Sequence, residues 1–433
     1  MVEYEGRAPR NGAVDEFMAL AELFDYSDST LESLRDIVSQ EKDVSVPHLT
    51  RYYNPNPSRV KMLEDYAKKL FGVEYALGVN SGTSALNTAY AACSIGPGDE
   101  VIVPAYTFFA TVAAVVTTKA IPIIAEVDET LCIDPEDVEA KITPRTKAII
   151  CVHMSGNVCD MDSLTALAEM HDLALIEDNA QACGGKYNGQ FTGSIGTMGC
   201  FSLSSYKITG AGEAGLVLTD DEWLYTRAQN QHDTAACWRP DRYAVEREPG
   251  ELFCGQNYRM SELEGAINYV QLQKTEDQAR RYNRNMQEVV QHFDEFETVR
   301  RRPSNDIEGD VGYKLVLYGD TPEQSGEIIK ALKEEGVSAG GRGSKTARDW
   351  HIYAYWEHIM KQKTTTEEGC PFTCPYYEGK LPDYSPDMCP RTMDLMSRAI
   401  FVDVNQWWTE NDCHRVAEAI NGVCSEVAPR VSC

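Results

Sequence analysis

The chain has 433 residues, 43% hydrophobic and 25% charged, close to the globular average. That excludes a disordered, collagen-like or low-complexity protein, and the length allows two or three domains around a core of enzyme size. The 40 Lys and Arg face 67 Asp and Glu, a formal charge of -27, and a field of that sign repels phosphate backbones and argues against nucleic acid as a partner.

The polar N-terminus MVEYEGRAPRNG has no apolar segment of a secretion signal. Residues 1–45 read as an acidic helical arm. No run of about 18 apolar residues predicts a membrane helix. From about residue 60, strands and helices alternate: YALGV, TSALNTAYAACS, EVIVP, TFFATVAAVVTTKA, IPIIAEV, AIICVHM, LTALAEMHD and LALIED. Repeated strand–helix–strand units predict a mostly parallel sheet covered by helices on both faces. MGCFSLSS and GLVLTDD follow as short strands joined by a Gly-rich turn. Residues 260–296 read as a long amphipathic helical stretch, broken or continuous, linking two domains. The predicted domains are 46–280 and 281–433. The second begins with a strand in VGYKLVLYG and a helix in TPEQSGEIIKALKEEG, and ends in a helix from about Thr409 to Asn421. A Cys-, Pro- and Tyr-rich insert near 364–390 interrupts it.

The 14 cysteines are scattered singly, which fits reduced thiols in a cytosol. Cys370 and Cys374 have zinc-like spacing, but no second close pair follows and the nearby prolines fit an irregular loop as well, so no metal is expected. Gly210 to Gly215 matches GxGxxG, yet a strand follows it where a dinucleotide site needs a helix, so it reads as a tight turn.

Three segments carry chemistry. NSGTSAL (80–86) lies where a strand meets a helix, and small residues there let backbone N–H groups approach an anion. Alone, it reads better as an ordinary helix cap. EDNAQACGG (177–185) puts carboxylates at a strand's C-terminal end, where open α/β sheets bind ligands; alone it fits a solvated turn. FSLSSYKITGAGEAG (201–215) places Lys207 in a turn between strands, where desolvation can make it a Schiff-base amine, with the Ser202 hydroxyl placed to reach a phosphate. Together a phosphate cradle, a strand-end carboxylate and an amine are the parts of a pyridoxal-phosphate site.

At this point the chain resembles the DegT/DnrJ/EryC1/StrS sugar aminotransferases. The resemblance runs over about residues 60–290, through SGTSAL, PAYTFFAT, VHMSGNVCDMD, EDNAQACGG, GSIGTMGCFSLSSYK, GEAG and GQNYRMSELEGAI, and more loosely beyond. It implies a pyridoxal-phosphate transferase of fold type I, with a mixed, mostly parallel seven-stranded sheet and a smaller α/β C-terminal domain. Lys207 matches the lysine bonded to the cofactor, which also moves the proton during transfer. Asp178 matches the partner of the pyridine nitrogen, and Gln181 a residue bordering the ring. Gly82, Thr83 and Ser202 match phosphate ligands, and Phe108 the stacking aromatic. Asn257 matches an Asn reaching the phosphate from a neighbouring subunit, which implies a homodimer with shared sites. Arg259 and Glu262 match residues that order that segment, His153 stands in a matching strand-end motif, and His351 matches a substrate-side histidine.

Ala214 and Asn179 depart from the family pattern, and the 364–390 insert is longer than usual, which makes it the place where substrate shape is most open to change. The implied reaction moves an amino group from glutamate or glutamine to a keto- or aldehyde-sugar, such as a nucleotide sugar, an inosose or an octulosonate, in the cytoplasm. Two alternatives stand beside it. One is a sugar dehydratase, which usually has His at the position of Lys207. The other is a non-catalytic regulator of the same fold.

Overall fold

Runs of Val, Ile and Leu flanked by Gly, Asp and Pro dictate the centre of the molecule. The computed structural model describes residues 14–41, 58–210, 212–234, 245–342 and 348–431. The described part of the N-terminal arm is α1 (Val14–Ala21) and α2 (Asp28–Ser39), joined through a 3-10 turn at Glu22–Phe24; residues 1–13 and 42–45 lie outside the described residues, as does Ala211 of the Gly-rich turn. From α3 (Arg59–Phe71) the elements alternate as β1 (Tyr75–Val79), α4 (Gly82–Ala92), β2 (Glu100–Pro104), α5 (Ala110–Thr117), β3 (Ile121–Ala125), α6 (Pro135–Lys141), β4 (Thr146–Val152), α7 (Met161–His171) and β5 (Ala174–Asp178). A small hairpin follows, β6 (Lys186–Tyr187) and β7 (Gln190–Phe191), then β8 (Met198–Ser202), β9 (Gly215–Thr219) and α8 (Glu222–His232).

Seven of these strands form one sheet in the order β1-β9-β8-β5-β4-β2-β3. β9 pairs antiparallel with β1 and β8, and the remaining pairs are parallel. All strands but β9 therefore end at the same edge. Strands buried on both faces explain the continuous apolar runs of the sequence. One face packs against α4 and α5 around Leu86, Val112 and Val115. The other packs against α6 and α7 through Val138, Leu164 and Leu167. The mixed, mostly parallel seven-stranded sheet is the expected one.

The 260–296 stretch is two helices, α9 (Glu262–Leu272) and α10 (Thr275–Gln291). No Pro or Gly marks the break; α9 packs along α3, while α10 turns away to meet the C-terminal helix. After it come β10 (Val299–Arg301), β11 (Lys314–Gly319), α11 (Pro322–Glu334), β12 (Ala339–Gly340), α12 (Glu357–Met360), α13 (Pro390–Arg398), β13 (Ala399–Asp403) and α14 (Glu410–Val427). The order β10-β11-β13-β12 makes a second, antiparallel sheet, with α10, α11 and α14 supplying Val289, Ile328 and Ile420 to its core. A capping box of Thr409 and Asp412 starts α14, which runs past the expected end at Asn421. Val316, Tyr318 and Phe401 join the main cluster with Val103 and Tyr106, so the two sheets share apolar packing.

The 364–390 insert docks far from where the sequence suggested. Tyr377 donates its hydroxyl to Glu100 Oε1 (2.7 Å) and Tyr384 to the Pro122 carbonyl (2.8 Å), both at the N-terminal ends of β2 and β3. Every described cysteine is a free thiol. No helix among the described residues is long and apolar enough to cross a membrane.

Candidate active site

Four connections leave the shared C-terminal edge of the sheet and enclose a cavity of about 430 Å³. They are the β1–α4 turn, the β2–α5 turn, the segment after β5 and the segment after β8. Ser81, Gly82, Thr83, Phe108, Thr111, Asp178, Gln181, Ser202, Lys207 and His351 are among the lining residues. Seven of the eight residues matched to catalysis or cofactor contacts thus meet in one place, together with His351. Asn257 does not.

The floor starts at the N-terminus of α4. Ser81 is its cap, accepting from Ser84 N–H at 3.1 Å, while Ser84 Oγ donates to Asn80 Oδ1 at 2.6 Å. Gly82 is required by close approach: a Cβ there would sit 2.6 Å from Ser202 Cβ. The absent side chain brings the helix N-terminus and the Ser202 hydroxyl onto the same small volume, an arrangement suited to an anion.

Asp178 ends β5 and is 5% exposed. Its Oδ2 accepts from Thr111 Oγ1 at 2.8 Å and its Oδ1 from Ala180 N–H at 3.1 Å. Because Thr111 gives its proton to Asp178, the 2.7 Å contact between Thr107 and Thr111 has Thr107 as donor. Burial pushes the Asp178 carboxyl up from its ordinary value, against the pull of those two hydrogen bonds and of the Lys207 charge. Lys207 follows Ser204 in a tight turn closed by Lys207 N–H to Ser204 O at 2.9 Å. Burial lowers its amine pKa, and the Asp178 charge opposes that shift. Buried carboxylate and buried amine each depend on the other's charge.

Gln181 Oε1 accepts from Ser155 N–H and from Tyr313 Oη, both at 3.1 Å. Its side chain is thereby fixed at the wall. Phe108, 47% exposed, stands 5.3 Å from the His351 ring, centroid to centroid. His351 is reached through the backbone: Thr107 N–H donates to His351 O at 2.9 Å. Its Nδ1 lies 2.8 Å from Asp349 Oδ1 and 3.1 Å from Arg342. The two partners hold the Asp349 carboxyl well below the usual range.

Asn257 lies in an isolated antiparallel bridge with Asp233 and is not among the residues lining the cavity of its own chain. Arg259 pairs with Asp233. Glu262 accepts from Ser58 Oγ at 2.7 Å and from Arg59 N–H, holding the start of α3. His153 is fully buried, and Cys159 N–H donates to its Nδ1 at 3.1 Å. The ring proton therefore sits on Nε2, which donates to Glu177 Oε2 at 3.1 Å.

Two residues were missed by motif reading. Thr111 lies inside PAYTFFAT, and only the fold shows that it serves Asp178. Glu177, next to Asp178, is fully buried and gathers the N–H groups of Gly193 (2.6 Å), Ile195 (2.7 Å) and Gly196 (2.6 Å). Successive strand residues point to opposite sides, so one of these acids serves the cavity and the other pins the loop before β8. The 364–390 insert contributes no residue to the cavity lining, so the expectation that it shapes the substrate site does not follow from this chain's own wall.

The sequence profile of the DegT/DnrJ/EryC1/StrS aminotransferase family matches residues 55–342. An L-glutamine:2-deoxy-scyllo-inosose aminotransferase of Micromonospora echinospora is 39% identical over 218 residues, covering 49% of this chain and 52% of that protein. A GDP-perosamine synthase of Escherichia coli O157:H7 is 39% identical over 235 residues, covering 52% of this chain and 63% of that protein. The chain spans about half the length of the curated relatives it matches. Among solved structures, the aminotransferase from Psychrobacter cryohalolentis superposes with a TM-score of 0.71 at 27% identity, over 93% of this chain and 98% of that one.

Proposed function

Because the chain belongs to the DegT/DnrJ/EryC1/StrS aminotransferase family, we propose that it moves an amino group from glutamate or glutamine to a keto- or aldehyde-sugar. The observation that carries this reading is the convergence of Lys207, Asp178 and the α4 N-terminus on one cavity. Inososes and nucleotide-linked sugars are the acceptor classes that its relatives' names support. Lys207, rather than a histidine, at the position between β8 and β9 disfavours the dehydratase alternative. The assembled set of buried ionisable groups disfavours a non-catalytic regulator.

The cofactor of this family is pyridoxal 5'-phosphate, and the residues present fit it. The first N–H groups of α4 and the Ser202 hydroxyl, brought together by the close approach at Gly82, suit the phosphate; Thr83 adds a hydroxyl. Phe108 offers a flat face to a ring, and Gln181 borders its edge. When bound, the cofactor supplies an electron sink for a carbon that has lost its proton. Asp178 presents an oriented carboxylate oxygen to a ring N–H and keeps that proton in place. Lys207 Nζ, made less basic by burial, takes a proton from the donor's amino-bearing carbon and returns it. Phe108 and His351 stand side by side on the cavity wall.

Asn257, outside its own cavity, fits a contribution to a neighbouring subunit's site, so the proposed active species is a homodimer, in the cytoplasm. The proposed division near residue 280, after an arm of residues 1–45, is supported by the separate sheet and core cluster that follow α10.

Mixing the purified protein with glutamate or glutamine and following its yellow absorbance tests the reading. The band is expected to bleach with the donor and return with a keto-sugar. Lys207→Ala is expected to lack both the band and turnover; retained turnover in that variant sinks the assignment.

A further inference from the structure

A second cluster of ligating side chains lies away from the cavity, where α10 meets α14. Glu288 and His292 are one turn apart near the end of α10, and His414 projects from the second turn of α14. One ligand atom from each of the three lies within 4.8 Å of the others. His414 Nε2 is 2.8 Å from Glu288 Oε1, and His292 Nδ1 is 3.7 Å from the same oxygen. The two imidazole rings stand 4.1 Å apart.

Ligand bonds of about 2.1 Å in a tetrahedral site place neighbouring ligand atoms about 3.4 Å apart. The two observed separations straddle that value; His292 Nδ1 donates to the Glu288 carbonyl at 2.9 Å, so this ring gives up that bond or turns its Nε2 inward to admit an ion. Glu288 is not committed elsewhere: among the described residues its ion pairs are with these two histidines. Arg284, one turn earlier on α10, donates instead to Asn285 Oδ1 at 3.0 Å. The neighbouring thiol, Cys413, is buried in the core of the second sheet, and the cluster does not include it.

We propose that Glu288, His292 and His414 form a surface site for a transition-metal dication of the zinc class, with water completing its coordination. Two imidazoles and one carboxylate suit Zn²⁺, Co²⁺ or Ni²⁺, whereas Mg²⁺ and Ca²⁺ want oxygen ligands throughout. The strongly negative chain attracts cations to its surface. Occupancy ties α10 to α14 through coordinate bonds across the packing of the second sheet's helices. α10 is also the helix whose first residue, Thr275, meets Thr209 hydroxyl to hydroxyl at 2.7 Å, two positions beyond Lys207. No motif spacing announces this site, since its third ligand is 126 residues from Glu288.

The holoenzyme dialysed against Zn²⁺ and against Co²⁺, with bound metal measured by elemental analysis, tests the proposal. One ion per chain is expected at this site, with a thermal midpoint that rises with Zn²⁺. The Co²⁺ form, read as a difference spectrum against the metal-free holoenzyme, is expected to show visible bands without the intense near-ultraviolet band of thiolate ligation. Glu288→Gln, His292→Ala and His414→Ala are each expected to weaken binding at least about tenfold and to abolish the Zn²⁺-dependent rise. His292→Gln and His414→Gln, which keep the side-chain bulk, are expected to do the same while melting like the metal-free wild type. Absence of binding, binding unchanged by all of these substitutions, or a thiolate band in the Co²⁺ spectrum overturns it.

Discussion

Thr111 Oγ1 donates a 2.8 Å hydrogen bond to Asp178 Oδ2, joining the first turn of α5 to the last residue of β5. Thr107 in turn donates to Thr111, so a two-hydroxyl relay fixes one oxygen of the carboxylate that faces the cavity. Removing the hydroxyl while keeping the shape isolates this contact. Thr111→Val is expected to lower turnover roughly tenfold, the equivalent of about 1.4 kcal/mol for a hydrogen bond to a charged group. The cofactor-bound absorbance should shift its pH dependence as well. An unchanged pH profile together with wild-type turnover would show that Asp178 is held by its backbone contact alone.

Asp178→Asn is expected to retain the cofactor and lose about 10²-fold or more in rate, because the ring N–H loses its charged partner. Stability in the cofactor-free protein should move the other way. The Asp178 pKa is raised in the fold, so the folded state holds a proton longer than the unfolded chain. As pH climbs above the unfolded carboxylate value, the wild type loses stability that the Asn variant keeps. The difference between the thermal midpoints of the two cofactor-free proteins should shift in favour of Asn as pH rises from acid to neutral. A difference that shifts toward the wild type over that range contradicts the direction.

Gly82→Ala puts a Cβ 2.6 Å from Ser202 Cβ, a separation that forces the helix start and the strand end apart. A cost of about 1–3 kcal/mol in stability is expected from such overpacking. Cofactor affinity should fall at least tenfold, since both phosphate-side elements move. Titration of cofactor into the refolded variant, read by absorbance, checks this. The contrast is Gly422→Ala in α14, whose added Cβ would meet nothing within 4 Å and which should leave cofactor affinity unaltered.

Shared active sites are testable by mixing. Lys207→Ala and Asn257→Asp chains are each expected to be inactive, the second because a carboxylate near the phosphate repels it. In a hybrid dimer one site carries both defects and the other carries neither, so co-refolding should restore part of the activity. Hybrids confirmed by mass spectrometry but without turnover would place Asn257 outside its neighbour's site.

Glu177 shows how one strand carries both a chemical and a structural acid. It accepts from three loop N–H groups and from the His153 ring. Glu177→Gln should cost about 3 kcal/mol, because a fully buried network loses a charged acceptor. Denaturant unfolding measures it, and a loss below 1 kcal/mol would show that the loop before β8 is held by other contacts.

The alternation of apolar runs and amphipathic segments was enough to specify the parallel sheet, because strands buried on both faces have no polar side to display. Ser81 to Thr83, Asp178 to Gln181 and Ser202 to Lys207 could be found by motif because each group follows directly on its own strand. A parallel sheet delivers strand ends to one edge whatever their distance in sequence. Tertiary packing alone decided the rest. Thr111 reaches Asp178 across 67 residues, and Glu288 finds His414 only because α10 breaks from α9 and turns toward α14. That break has no Pro or Gly to announce it, since two different packing surfaces, rather than local backbone strain, pull the helices apart. The 364–390 insert carried Tyr side chains whose hydroxyls could have satisfied acceptors anywhere; the buried Glu100 and the Pro122 carbonyl drew them to the far end of the sheet. Local order in the chain sets which groups stand at a strand's end, while the contact of one element with another is set by surfaces that the sequence does not place side by side.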